Sequence, residues 1–329
     1  MRRLVLALPL LAAGLLPGSG RANVVFVVNS MDPGIQIVDA ATRAEIRQIP
    51  VLREPHHVAL TPGKDVLLVG DSAGNEILFL DLATGEVRKR ERIANPYNLE
   101  FSPDGKLLVV TGLRRDQVDI YAWDGPNLGL NLLSRVKPGD MPSHIAYRPD
   151  SRFTYVTLQG SRAIAAIDLE TRQVAWTLQV GRQPAGIIWH NGKLLVGVMG
   201  ADYVAVVDPE ARKVERTIKV GRGAHALFVS PGGGPIYVTS RVDSRITALD
   251  PVSLDVMRTY DVPGGPDCLS FDERGRIWAT LRWSRQLGLL DPETGEMTTS
   301  PVGRSPHGIF FQNRNLEVRH EASDALVAR

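Results

Sequence analysis

Apolar residues along this chain fall in short runs, many of them β-branched, each bounded by Gly, Pro or Asp. No stretch keeps a sustained helical period, so the pattern predicts strands and tight turns throughout. One apolar segment that closes on Asp recurs seven times: Ile35–Asp39, Ile77–Asp81, Val118–Tyr121 with Asp124 slightly later, Ile164–Asp168, Val204–Asp208, Ile246–Asp250 and Leu287–Asp291. Neighbouring copies stand roughly 40 to 44 residues apart, the span of one four-stranded propeller blade.

Each copy sits in the same order of signals. A Pro or Gly precedes an alternating strand such as His144-Ile145-Ala146-Tyr147, and a turn such as Ser102-Pro103-Asp104-Gly105 follows. A β-branched strand, a polar loop, the Asp-ended strand and a turn such as Thr84-Gly85-Glu86 complete the unit. The chain starts its first unit on a second strand, Asn23–Val28, and its last unit breaks off after a first strand, His307–Phe311. A ring closes if these two halves share one blade, which removes exposed sheet edges. The expected fold is therefore all-β: a seven-bladed β-propeller over residues 23–313, closed by a blade shared between the termini, with 314–329 a polar tail.

The N-terminus adds a destination. Arg2 and Arg3, the apolar run Leu4–Leu16 and the small-x-small end Gly20-Arg21-Ala22 read as a signal peptide over residues 1–22. The run is shorter than the twenty or so residues a membrane span needs. The mature protein is expected in the periplasm, with no membrane span and as a monomer. Its single cysteine, Cys268, leaves no internal disulfide. The overall composition, 43% hydrophobic and 22% charged with a net charge of +2, is that of a globular protein and changes nothing in this picture.

Tyr155-Val156-Thr157, Tyr237-Val238-Thr239-Ser240, the Ser102–Gly105 turn and the recurring Val-Gly-Arg ends resemble the YVTN-repeat, or YncE-like, propellers. The resemblance covers the whole mature chain and is specific for fold rather than function. Its wider relatives include the haem d1 propellers of cytochrome cd1 nitrite reductase and of haem d1 biosynthesis; lactonases and streptogramin lyases share the architecture.

The first strand of each blade lines a propeller axis, so the residues just after its linking loop face the channel mouth. Aligning the seven units on their Pro or Gly gives one column of His57, Asn98, His144, Gly186, His225, Cys268 and Gly308. The column before it holds His56, Tyr97, Ser143, Ala185, Ala224, Asp267 and His307. Five of the seven histidines fall in these two columns. Neutral imidazoles gathered on an axis suit a transition metal or the axial position of a haem d1-like tetrapyrrole, which makes His57, His144 and His225 the metal candidates. A His at the head of a strand also satisfies loop backbone groups in propellers without ligands, and that reading stays open. Cys268 reads as a small buried thiol.

The same face gathers arginines: Arg53, Arg114, Arg182, Arg222, Arg241, Arg282 and Arg304 among them, with acids concentrated on the opposite face. With Tyr97 and His307 they are the candidate residues for a small anionic ligand, since guanidinium groups pair with carboxylate and phosphate. Pairing with local acids such as Asp116, Asp202 and Asp243 would instead cancel that field. The expected function is binding, of an anionic or metal- or tetrapyrrole-type ligand at this rim. Catalysis of the lactonase or lyase type, by a channel-mouth His, is the alternative, and a scaffold for a periplasmic protein is the third. Export makes nucleic acid an unsuitable partner in vivo.

Overall fold

A computed structural model describes residues 22–51 and 53–314. Within them 28 strands, numbered β1 to β28 along the chain, form seven four-stranded antiparallel sheets, with two single-turn 3-10 segments and no other helix. Six sheets are consecutive in sequence; the seventh has the order β28-β1-β2-β3, built from Pro306–Gln312, Val24–Asn29, Gly34–Asp39 and Glu45–Pro50. Val25 pairs with Phe311 and Phe26 with Phe310, so the expected shared blade closes the ring. No helix among the described residues is long and apolar enough to cross a membrane. The candidate signal peptide and nearly all of the C-terminal tail lie outside the described residues.

Burial changes from the axis outward, and the side-chain pattern changes with it. Middle strands such as Val66–Asp71 and Glu76–Asp81 are buried at every position, because each is covered by a blade on both faces; hence their continuous apolar sequence. Outer strands such as Val87–Arg92 and Gln173–Gln179 alternate between exposed and half-buried residues, as expected where one face meets water. The core lies between blades rather than within them: Phe26, Val28 and Ile35 of the closing blade pack with Leu67, Val69 and Leu80 of the next.

The recurrent Asp is a turn builder. Asp39 Oδ1 accepts the backbone N–H groups of Ala41 and Thr42 at 2.9 and 2.7 Å, and Asp168, Asp208, Asp250 and Asp291 accept the corresponding pairs. Four residues beyond the Asp the chain turns left-handed, at Arg43, Gly85, Arg172, Arg212, Leu254 and Gly295. In these units the Asp signal is thus spent on geometry at the face remote from the candidate site.

The innermost strands carry the feature that makes the site. They are β4 (Pro55–Leu60), β8 (Asn98–Phe101), β12 (Pro142–Tyr147), β16 (Pro184–His190), β20 (Ala224–Val229), β24 (Pro266–Phe271) and β28. In six of them the pairing slips just after the first residue, for instance between Pro55 and Val58 and between Pro266 and Leu269. Such a bulge leaves two residues outside the ladder. The threonine of the second strand repairs the loss. Thr157, Thr239 and Thr280 accept, through Oγ1, the N–H of His144, Ala226 and Cys268 at 2.9, 3.2 and 3.0 Å. Thr111, Thr239 and Thr280 donate to the carbonyls of Ser143, Asp267 and His307 in the following blade, at 2.6, 3.0 and 2.7 Å. Where glycine replaces this threonine, the neighbouring blade comes in directly: a Cβ at Gly197 would stand 2.8 Å from the His225 carbonyl oxygen.

Thr280→Val keeps the shape and deletes both bonds, leaving the buried Cys268 N–H and His307 carbonyl unsatisfied. A loss of about 1–3 kcal/mol is expected, read as a lower urea midpoint at unchanged slope.

Candidate functional site

The bulges turn two residues per blade toward the axis, which produces two stacked tiers. The upper holds His56, Tyr97, Ser143, Ala185, His225, Asp267 and His307; the lower holds His57, Asn98, His144, Gly186, Ala226, Cys268 and Gly308, which line a common cavity. This corrects the sequence register in one blade. Ala224, not Gly223, stands where the other units have Pro, so His225 belongs to the upper tier and Ala226 to the lower. An alignment on Pro or Gly placed them one residue out.

Five imidazoles from four blades meet around the axis. Ring centroids are 3.8 Å apart for His56–His307, 4.9 Å for His56–His57 and for His57–His144, 5.3 Å for His144–His225 and 6.0 Å for His225–His307. The Tyr97 ring lies 4.2 Å from that of His56. All five histidines are buried, with His307 at 0% and His57 at 9% exposure, so the layer plugs the channel instead of edging an open mouth. Two triples bring ligand atoms within 4.8 Å of one another: His56, His57 and His307, and His225, Asp267 and His307. The predicted metal candidates His57, His144 and His225 are ring neighbours in sequence order; His57 enters one compact triple and His225 the other, His307 is common to both, and His144 is in neither.

Asp267 is the charged centre of the layer. Its carboxylate, fully buried, is held by Arg241 through two nitrogens and by Arg282 Nη1 at 3.0 Å, and His225 Nδ1 approaches it to 3.0 Å. Burial alone would raise its pKa; Arg241, His307 and His225 overcome that and hold it well below the usual carboxylate range. The imidazoles go the other way. Burial, then Arg241, lowers His225 to about 4, and burial followed by neighbouring rings lowers His56, His57 and His144. His307 is lowered chiefly by burial as well. The rings are therefore neutral, the form in which imidazole binds metals.

Gln159 Nε2 donates to Ser143 Oγ at 2.7 Å, and Ser143 Oγ lies 2.8 Å from His144 Nδ1; where the Ser143 hydroxyl donates to Nδ1, the proton of His144 stands on Nε2. Cys268 Sγ lies 3.3 Å from His307 Nδ1, and burial raises its thiol pKa well above normal. His56 Nδ1, His57 Nε2, His144 Nε2 and His307 Nε2 are buried without a hydrogen-bond partner among the described residues.

The arginines divide into two groups. Arg241 and Arg282 reach the layer. The others remain on the surrounding loops: Arg114 pairs with Glu54 at 2.7 Å, Arg222 with Asp243 at 2.7 Å, Arg304 with Asp32 at 2.6 Å, and Arg182 donates to the Gly200 carbonyl at 2.9 Å. Arg53 is exposed, and its backbone N–H donates to Asp71. Trp283, beside Arg282 in sequence, is exposed as well.

Beneath the imidazoles the channel widens into a cavity of about 210 Å³. Its walls are Val58, Ile145, Ile187, Leu227, Leu269 and other apolar residues, interrupted by Glu100. Sequence reasoning missed Glu100, although it stands two residues after Asn98 in β8 and alternation places both on the axial face. Its carboxyl is half-buried in area yet deep in the channel, and loss of hydration pushes its pKa up to about 8.

A ring of seven four-stranded blades whose axis is stopped by buried imidazoles defines a closed β-propeller with an axial polar layer. The chain belongs to the YncE-like β-propellers, whose family model matches residues 7–315. Similar solved structures include hydrazine synthase of Kuenenia stuttgartiensis (TM-score 0.67, 16% identity, covering 85% of this chain and 92% of that one). The dihydro-haem d1 dehydrogenase NirN in complex with DHE is another (0.67, 16%, 92% and 78%). A functionally unknown protein from Desulfotomaculum acetoxidans DSM 771 is a third (0.75, 11%, 88% and 99%). At these identities the likeness is one of fold. No curated protein matches the chain.

Glu100 keeps its proton in the folded state, up to about pH 8, where the unfolded chain releases it near 4.5. Its contribution to stability is therefore complete below 4.5 and is lost as pH rises toward 8. Glu100→Gln should leave the urea midpoint unchanged near pH 4.5 and raise it increasingly up to about pH 8; a difference that is flat in pH would contradict this assignment.

Proposed function

We propose that this chain is an exported binding propeller that holds a transition-metal centre on its imidazole layer. The carrying observation is the set of neutral, buried ring nitrogens of His56, His57 and His307 without partners among the described residues, together with two triples whose ligand atoms are already within 4.8 Å. Burying such nitrogens unpaired costs free energy that a bound cation would recover. His307 is common to both triples. In the tautomer with the His307 proton on Nδ1, facing the Cys268 sulfur at 3.3 Å, its Nε2 presents a lone pair to the layer, the outer-partner arrangement typical of metal-binding histidine.

Arg241 and Arg282 limit what the metal can be. Against the single negative charge of Asp267 they leave the layer one positive charge in excess, which disfavours a bare cation and favours a metal that brings anionic ligands of its own. A tetrapyrrole with carboxylates meets that description in charge. The close ring contacts favour a compact complex over a flat macrocycle, since the rings must part before a macrocycle could slide between them. The signal peptide supports a periplasmic setting for such a ligand.

Cobalt(II) serves as the spectroscopic probe. Protein treated with chelator and titrated with Co²⁺ in citrate should bind one equivalent and develop the visible bands of imidazole ligation. His307→Ala should weaken binding by about 100-fold or more, beyond what loss of an outer hydrogen-bond partner costs. His190→Ala is the control, because His190 Nε2 bonds the Pro251 carbonyl away from the layer. Wild-type protein that binds no more cobalt than His307→Ala would end this reading.

A further inference from the structure

The cavity under the imidazole layer is a second, chemically different compartment. Its wall is aliphatic, from Val58, Ile145, Ile187, Leu227, Leu269 and Ile309. Into it project a carboxyl and a hydrogen-bond donor. No cation or hydrogen-bond donor of the described residues meets the Glu100 side chain; only its backbone carbonyl is engaged, by Tyr147 Oη at 2.8 Å. The donor is His144 Nε2–H, in the tautomer where Ser143, itself accepting from Gln159, donates to Nδ1; Nε2 is buried with no partner among the described residues.

We infer that this lower compartment binds a short aliphatic ammonium compound, with its cation on Glu100, its carbon chain along the aliphatic wall and any terminal oxygen toward His144 Nε2. The spacing is set by the strand. Glu100 lies two residues below Asn98, and Asn98 shares a tier with His144, so the carboxyl stands about 7 Å beneath the imidazole level at roughly 3.3 Å of rise per residue. A chain of a few carbons spans that distance. The sign of the ligand follows from the carboxyl, which in its apolar wall keeps its proton unless a cation joins it and stabilises the charged form. A neutral chain would gain the wall contacts and leave the carboxyl protonated; an anion would bring its charge into the apolar wall with no cation to meet it.

Binding of 5-amino-1-pentanol, pentylamine, pentanol and pentanoate is measured by calorimetry in the presence of EDTA, which keeps the test separate from metal binding. The aminoalcohol should bind best and pentylamine next, with pentanol at least about tenfold weaker than pentylamine and pentanoate undetectable. Glu100→Gln, nearly isosteric, should abolish the preference for the amines over pentanol. Ile187→Trp fills the cavity and should remove binding of every probe while Glu100 remains. The inference is overturned if wild-type protein binds neither amine, if Glu100→Gln binds the amines as well as wild type, or if pentanoate binds better than pentylamine. The cobalt titration of the upper tier stands or falls independently of each of these results.

Discussion

The bulge at the head of six of the seven innermost strands, supported in three of those blades by a threonine of the strand beside it, is the interaction on which the centre of this molecule depends. A regular antiparallel ladder would turn alternate residues away from the axis. The slip breaks that alternation and delivers two adjacent side chains per blade inward, at the expense of backbone bonds. Thr111, Thr157, Thr239 and Thr280 restore those bonds within a blade or pass them to the next one. The residue that fills the most regular place in the repeat thus acts as the coupling between blades. What looks like a strand-forming preference for Thr is a hydrogen-bonding requirement.

That coupling explains how so polar an axis is tolerated. Five imidazoles, a carboxylate and two guanidinium groups share this space, and the one carboxylate answers both guanidinium groups. Asp267 is satisfied by Arg241, Arg282 and His225, while burial keeps the rings neutral. Removing one partner from such a network leaves an uncompensated charge, so its members depend on one another more than on the strands that carry them. The arginines of the outer loops face water and pair singly, as exposed guanidinium groups do.

The architecture was legible in the sequence because it rests on periodic signals: the apolar segment before Asp, the turn chemistry and the split first blade. Convergence of His56, His57, His144, His225 and His307 was legible too, as a column. The register failed where Ala224 replaces the usual Pro, because Gly223 offered a false landmark one residue earlier. The division of the arginines could not be read, since their partners Glu54, Asp32 and the Gly200 carbonyl belong to other loops, brought near by blade packing, by ring closure or by the fold of the blade itself. Glu100 was within reach of simple alternation from Asn98; what the sequence lacked was any sign that no cation would face it.

The lower tier is also lopsided. On one arc it carries His57, Asn98 and His144; on the other, Gly186, Ala226, Cys268 and Gly308 present little or no side chain. Open volume is therefore displaced from the pseudo-sevenfold axis toward the small residues, while the functional groups stand opposite. A near-symmetric scaffold thereby offers an asymmetric chamber, able to distinguish the two ends of a guest and, for a branched one, its mirror images.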